Sequence, residues 1–229
     1  NTGNTYTGAT TVSEGTLNLT GSIKGNLVID GGTVLGGTNS NAVASALTMN
    51  SGTITANSDT NTGKFNITGS GTNSWTGGTY IWNVSGGMGS SGNDSDSNGY
   101  YEASGAADGS FYDILSFSGA LDFDGTSVGA ITIKIDSQST YTGYDWNTPT
   151  EIKIATASGG ITNFNESFFN LDASSFNDST GSWWMNWGIT SHENAIWLTY
   201  KAVPEPGTWA MMLSIPILLI FQYFNRKRS

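Results

Sequence analysis

Leu27-Val28-Ile29-Asp30-Gly31-Gly32-Thr33-Val34 is answered by Leu47-Thr48-Met49-Asn50-Ser51-Gly52-Thr53-Ile54, and then by Phe65-Asn66-Ile67-Thr68-Gly69-Ser70-Gly71-Thr72. The leading apolar residues lie 20 and 18 positions apart. Each unit is a short alternating strand, a Gly-rich turn, and a Thr-led strand. Alternation of period two puts Leu27 and Ile29, Leu47 and Met49, and Phe65 and Ile67 on one face. Leu17-Asn18-Leu19 with Thr20-Gly21 is an earlier, shorter copy. A repeat near 20 residues with this alternation predicts a β-solenoid. No single unit buries enough apolar surface alone, so stability comes from stacking neighbours. The glycines supply turn conformations that other residues adopt at a cost.

Upstream stands Asn4-Thr5-Tyr6-Thr7-Gly8-Ala9-Thr10-Thr11-Val12-Ser13-Glu14-Gly15-Thr16-Leu17-Asn18-Leu19. This stretch resembles the autotransporter-associated β-strand repeat, whose members read N-x-Y-T-G-x-T-x-V-x-x-G-T-L. The likeness fades beyond Gly21. It implies a right-handed parallel β-helix. The chain departs from autotransporters downstream, where a tail of another kind stands in place of amphipathic barrel strands of ~10 residues.

Residues 1–84 are therefore read as solenoid repeats. Residues 85–109 are rich in Gly, Ser, Asn and Asp and read as a loop. Within it, Asp94-Ser95-Asp96-Ser97-Asn98-Gly99 has the alternating oxygen side chains and glycine that open a calcium loop. Asp94, Asp96, Asn98 and the Tyr100 carbonyl would hold the ion. Gly105 stands where a bidentate Glu is needed, so a solvated acidic loop is the competing reading. No other cofactor is expected. Residues 110–202 resume short alternating strands: Phe111 to Phe117, Leu121 to Asp124, Ile131 to Ile135, Glu151 to Thr156, Phe168 to Leu171, Trp183 to Trp187 and Ile196 to Tyr200. They are read as further solenoid or as its cap.

Residues 203–229 have three parts. Val203-Pro204-Glu205-Pro206 comes first, then the uncharged span Thr208 to Phe224, then Arg226-Lys227-Arg228. As a helix the span would reach roughly 26 Å at ~1.5 Å per residue, close to the ~30 Å hydrocarbon core. Pro216 is tolerated in such a helix. The basic end belongs on the cytoplasmic side, which puts everything ahead of it outside. In this order the parts resemble a PEP-CTERM sorting signal of Gram-negative, exopolysaccharide-producing bacteria. That resemblance implies recognition by an exosortase, removal of the tail, and delivery to the cell surface or matrix. A signal peptide is then expected ahead of Asn1.

Glycine numbers 31, proline 4 and cysteine none. Disulfides, cysteine nucleophiles and thiolate metal sites are excluded. Of 18 acidic and 8 basic residues, Glu205 and the three basic residues lie in the tail, leaving 17 against 5, a formal charge of −12, ahead of Val203. An acidic, lysine-poor body argues against nucleic acid as a partner.

Three motifs have chemical alternatives. Gly125-Thr126-Ser127-Val128-Gly129 has the spacing of a nucleophile elbow, but a strand follows it, so a Gly-rich turn is the reading. Asp122 and Asp124 alternate with Leu121 and Phe123, either as an acid–base pair or as a solvent-facing strand edge. Trp183, Trp184 and Trp187 would stack on sugar rings if exposed, and belong to the core if buried. His192, the one histidine, is placed in a turn after Ile189.

The fold class is thus all-β: a right-handed parallel β-solenoid continuing into a second β-rich region, followed by one C-terminal transmembrane helix. The function expected is that of an exported structural protein of the cell surface or extracellular matrix, associated with exopolysaccharide or biofilm. Its precursor is anchored in the inner membrane and processed by an exosortase-type enzyme. An adhesin or glycan-binding protein is the alternative. An enzyme acting on polysaccharide ranks last, because nothing in the patterning converges on a site.

Overall fold

The computed structural model describes residues 4–36, 42–43, 45–58, 60–85, 101–102, 111–137, 150–176 and 185–202. Among them strands dominate, and the one helical piece is a 3-10 turn at Glu166–Phe168. The first repeats form β1 (Thr10–Val12), β2 (Thr16–Asn18), β3 (Leu27–Leu35), β4 (Ala42–Val43), β5 (Leu47–Thr55) and β6 (Lys64–Ile67). There follow β7 (Asn73–Trp75), β8 (Gly78–Val84), β9 (Tyr101–Glu102), β10 (Ile114–Phe117), β11 (Leu121–Asp122) and β12 (Ile131–Ser137). The last five are β13 (Thr150–Ala157), β14 (Ile161–Thr162), β15 (Phe169–Ser175), β16 (Met185–His192) and β17 (Ala195–Ala202).

Two sheets share these strands, and the chain visits them in turn. From β4 (second sheet) it passes to β5 (first), β6 (second), β7 and β8 (first), β10 (second), β11 and β12 (first), β13 (second), and β14 and β15 (first). Successive visits lie side by side. Every pairing between these strands is parallel except the two made by β17. The result is a curled, mostly parallel sheet. Strands after residue 110 pair directly with strands before residue 85: β12 with β8 from Ile131↔Gly78 to Ser137↔Val84, and β10 with β6.

The curl has a local cause. β3 and β5 are nine residues long, and each is flanked by two short strands, β1 and β2 or β7 and β8. The bend between the halves falls at a glycine with positive φ: Gly15 at 67°, Gly31 at 123°, Gly52 at 83° and Gly78 at 95°. At this corner the passes touch through their backbones. A Cβ on Gly52 would lie 2.3 Å from the Gly32 carbonyl oxygen. Just past the corner the register aligns Thr16, Thr33, Thr53, Thr79, Thr132 and Asn170 across six strands.

The alternation read from the repeats is the burial pattern seen. Leu27, Ile29, Val34, Leu47, Met49, Ile54, Phe65 and Ile67 are buried in one core. Each such burial contributes about 1.5–3 kcal/mol. The middle of that core is aromatic. Trp75 stacks on Phe123 at 6.1 Å, and Phe123 meets Phe169 edge-on at 5.5 Å.

The second sheet ends in a β16–β17 hairpin, antiparallel throughout, which covers the edge of β13. Its two turn residues, Glu193 and Asn194, have φ of 50° and 56°, the left-handed geometry that two-residue hairpin turns require. His192 is the last residue of β16 rather than part of the turn, because the turn needs only Glu193 and Asn194. β15 likewise runs to Ser175, beyond the Leu171 expected, because it pairs along β12. Among the described residues no helix is long and apolar enough to cross a membrane. The span Thr208 to Phe224 lies outside them.

Candidate functional site

Two polar clusters stand out, and neither was visible as a motif. The first joins two neighbouring passes, β5–β6 and β8–β10, at the corner between the sheets. Thr55 closes β5, Asn83 lies near the end of β8, and Asp113 immediately precedes β10; all three are 0 % exposed. Burying a carboxylate is costly unless donors surround it. Here Asp113 Oδ1 accepts from the Gly63 amide at 2.7 Å. Oδ2 accepts from Asn83 Nδ2 at 2.8 Å and from the Asn83 amide at 3.2 Å. Thr55 Oγ1 has one proton and two acceptors within reach, the Ser58 carbonyl at 2.9 Å and Asp113 Oδ2 at 3.2 Å. Asn83 Nδ2 also reaches Thr55 Oγ1 at 3.1 Å and the Ser58 carbonyl at 3.0 Å. Trp82 Nε1 donates to the Asp113 backbone carbonyl at 2.8 Å.

Burial pushes the Asp113 carboxyl up to about 7, against the pull of the donors from Asn83, Gly63 and Thr55. Burial also raises the Tyr80 hydroxyl well above its ordinary value, with the Asp113 charge adding to it. A carboxyl that changes charge near neutrality, between a hydroxyl and a carboxamide, can accept and return a proton.

The second cluster lies where the hairpin meets β13. His192 Nε2 is 3.2 Å from Glu151 Oε2, with the Glu151 side chain fully buried and that of His192 24 % exposed. The imidazole stacks on Trp197 at 4.8 Å with its plane 3° from parallel. Trp197 Nε1 donates to the His192 carbonyl at 3.3 Å, and Lys153 Nζ stands 4.4 Å from the ring centroid. This arrangement fixes His192 by an acid and an indole.

Of the residues singled out by sequence, Trp187 is half-buried in β16, edge-on to Phe176 at 5.3 Å and tilted on Tyr200 at 5.5 Å. That packing makes it part of the wall between β15 and β17. Trp183 and Trp184 lie outside the described residues. So do Asp94, Asp96 and Asn98 of the calcium-type loop, and Val203, Pro204, Glu205, Pro206, Arg226, Lys227 and Arg228 of the tail. Among the described residues no group of three or more His, Asp or Glu side chains could hold a metal ion.

Asp122 and Asp124 do not form a pair on one strand, since β11 ends at Asp122. Asp122 Oδ1 accepts from Thr162 Oγ1 and Asn163 Nδ2, each at 2.8 Å, and from the Asp124 amide at 3.2 Å. The Asn163 and Thr162 bonds hold its carboxyl below the ordinary value. It braces β11 against β14. Ser127 sits in a turn with the exposed Val128 and is followed by β12, so the elbow spacing is a Gly-rich turn, its glycines at φ 79° and 70°.

The clusters were invisible in sequence for a plain reason. Asn83 is 28 positions from Thr55 and 30 from Asp113, and His192 is 41 from Glu151. Asn83 gave no local signal either, because it falls at the polar position of the alternation between Trp82 and Val84. No protein-family model matches the chain, and neither a curated protein nor a solved structure does.

Proposed function

We propose that this chain is an exported structural protein of the cell surface or extracellular matrix, built as a right-handed parallel β-solenoid. The observation that carries the reading is the unbroken parallel register Thr16–Thr33–Thr53–Thr79–Thr132–Asn170. A register that repeats pass after pass extends a body in one direction, as a stalk or matrix element must. The composition supports it: an acidic body with few lysines stays soluble and does not hold nucleic acid.

The tail supplies the address. In this reading Pro204, Glu205 and Pro206 are recognised by an exosortase-type enzyme, Thr208 to Phe224 spans the inner membrane as a helix, and Arg226, Lys227 and Arg228 stop transfer. The processed protein then joins the exopolysaccharide outside. Glycan contact through Trp183 and Trp184 is the alternative; Trp187, packed on Phe176 and Tyr200, is the least suited of the three. Intact mass and location in the native host, with and without exosortase, test the proposal. The expected result is a chain shortened near Pro204 and found at the surface only when the enzyme is present. Full-length chain in the inner membrane of both strains would overturn it.

A further inference from the structure

Thr55, Asn83 and Asp113 bring together a hydroxyl, a carboxamide and a carboxylate, all fully buried. One oxygen, Asp113 Oδ2, stands 3.2 Å from Thr55 Oγ1 and 2.8 Å from Asn83 Nδ2. Thr55 Oγ1 is itself 3.1 Å from that nitrogen. The backbone amides of Gly63 and Asn83 hold the carboxylate in place. The nucleophile, the leaving nitrogen and a proton carrier are thus gathered in one buried site, and a turn of the Asn83 carboxamide about its side-chain bonds would present Cγ to Thr55 Oγ1.

The geometry points to a modification site: a self-formed ester cross-link between Thr55 Oγ1 and Asn83 Cγ, with Asp113 carrying the proton. Thr55 Oγ1 gives its proton to Asp113 Oδ2 and bonds to Asn83 Cγ. The Cγ–Nδ2 bond breaks. Asp113 returns the proton to Nδ2, which leaves as ammonia, and the carboxylate ends as it began. No oxidant, reductant or cofactor is needed. A carboxyl lifted to about 7 suits a carrier working at neutral pH. The three side chains are closed off from bulk solvent, which protects the ester from hydrolysis once made. The bond would close the loop from residue 55 to residue 83 and tie β5 to β8 covalently, in a chain with no cysteine for a disulfide.

This inference does not depend on the sorting reading, and its test reads a different quantity. The purified full chain, incubated at neutral pH, is weighed intact and then digested. The expected result is a mass lower by one ammonia, with the Thr55 and Asn83 peptides recovered as a linked pair that mild alkali separates. Thr55→Val keeps the shape and removes the nucleophile, so its mass should match the sequence. Thr55→Ser keeps a hydroxyl and should still link. Asp113→Asn should leave the full mass. A wild-type chain of full mass would overturn the proposal. So would an ammonia loss that persists in Thr55→Val, or one confined to a single peptide, which marks a cyclic imide elsewhere.

Discussion

Gly52 and Gly8 are the same residue under different constraints. Gly52 turns the corner of β5 at φ 83°, and an added Cβ would lie 2.3 Å from the Gly32 carbonyl oxygen. Gly8 has nothing within 4 Å of that position. Gly52→Ala is therefore expected to cost about 2–3 kcal/mol from backbone strain alone, and more from the contact. Gly8→Ala should stay within about 0.5 kcal/mol. Denaturant midpoints of the two variants check this directly. Asp113 makes a prediction of the opposite kind, in pH. Burial raises its folded value from 3.8 to about 7, so the folded protein keeps a proton that the unfolded chain loses. Between those limits the unfolded state binds fewer protons, and stability falls as pH rises, then levels off above about 7. The full fall is at most about 4 kcal/mol. Melting temperatures across this window should decline for the wild type and lie flatter for Asp113→Asn. Asp122 works in the other direction. Its depressed value contributes stability at neutral pH that is lost as pH falls through the folded value.

The β16–β17 hairpin is held to β13 by backbone pairing and pinned at its turn by His192 on Glu151 and Trp197. His192→Ala removes both side-chain contacts at about 1–2 kcal/mol. Hydrogen exchange should quicken in β16 and β17 and stay unchanged in β3 and β5, which lie in the other sheet. If all four respond equally, the hairpin is not a separate unit of opening. This element also shows where sequence reading succeeds and stops. Leu27, Ile29, Leu47 and Met49 announced strands with one buried face, and all four are buried. The Gly-to-Thr step announced a turn in each repeat; positive-φ glycines stand at the corners of β3 and β5, Gly31 and Gly52, whereas Gly69 and Gly71 after β6 do not have positive φ. Burial and φ preference are local properties, so they leave a local trace. Which strand lies beside which is not local. Nothing between Thr156 and Ala195 states that β13 meets β17 antiparallel after so many parallel pairings. The buried carboxylates are harder still. Asp113 follows Phe111-Tyr112 as an ordinary polar residue would, and only the fold surrounds it with donors from Gly63 and Asn83.

At the scale of the molecule, β17 and β16 change the direction of pairing at the end of the second sheet. An uncovered parallel strand offers a row of backbone donors and acceptors to any neighbour. A chain ending before residue 185 should therefore self-associate through β13, while one ending at residue 202 should not. Light scattering at matched concentrations separates the two outcomes. The parallel register has a mechanical side as well. Hydrogen bonds between passes all run along the stacking direction, so a pull along that axis loads them in line and can open one interface before the next. A pull along the strands must shear an entire row together. A body built this way yields progressively in one direction and resists abruptly in the other. Thr55, Asn83 and Asp113 tie two neighbouring passes together, and the ester proposed there would halt progressive yielding at that interface.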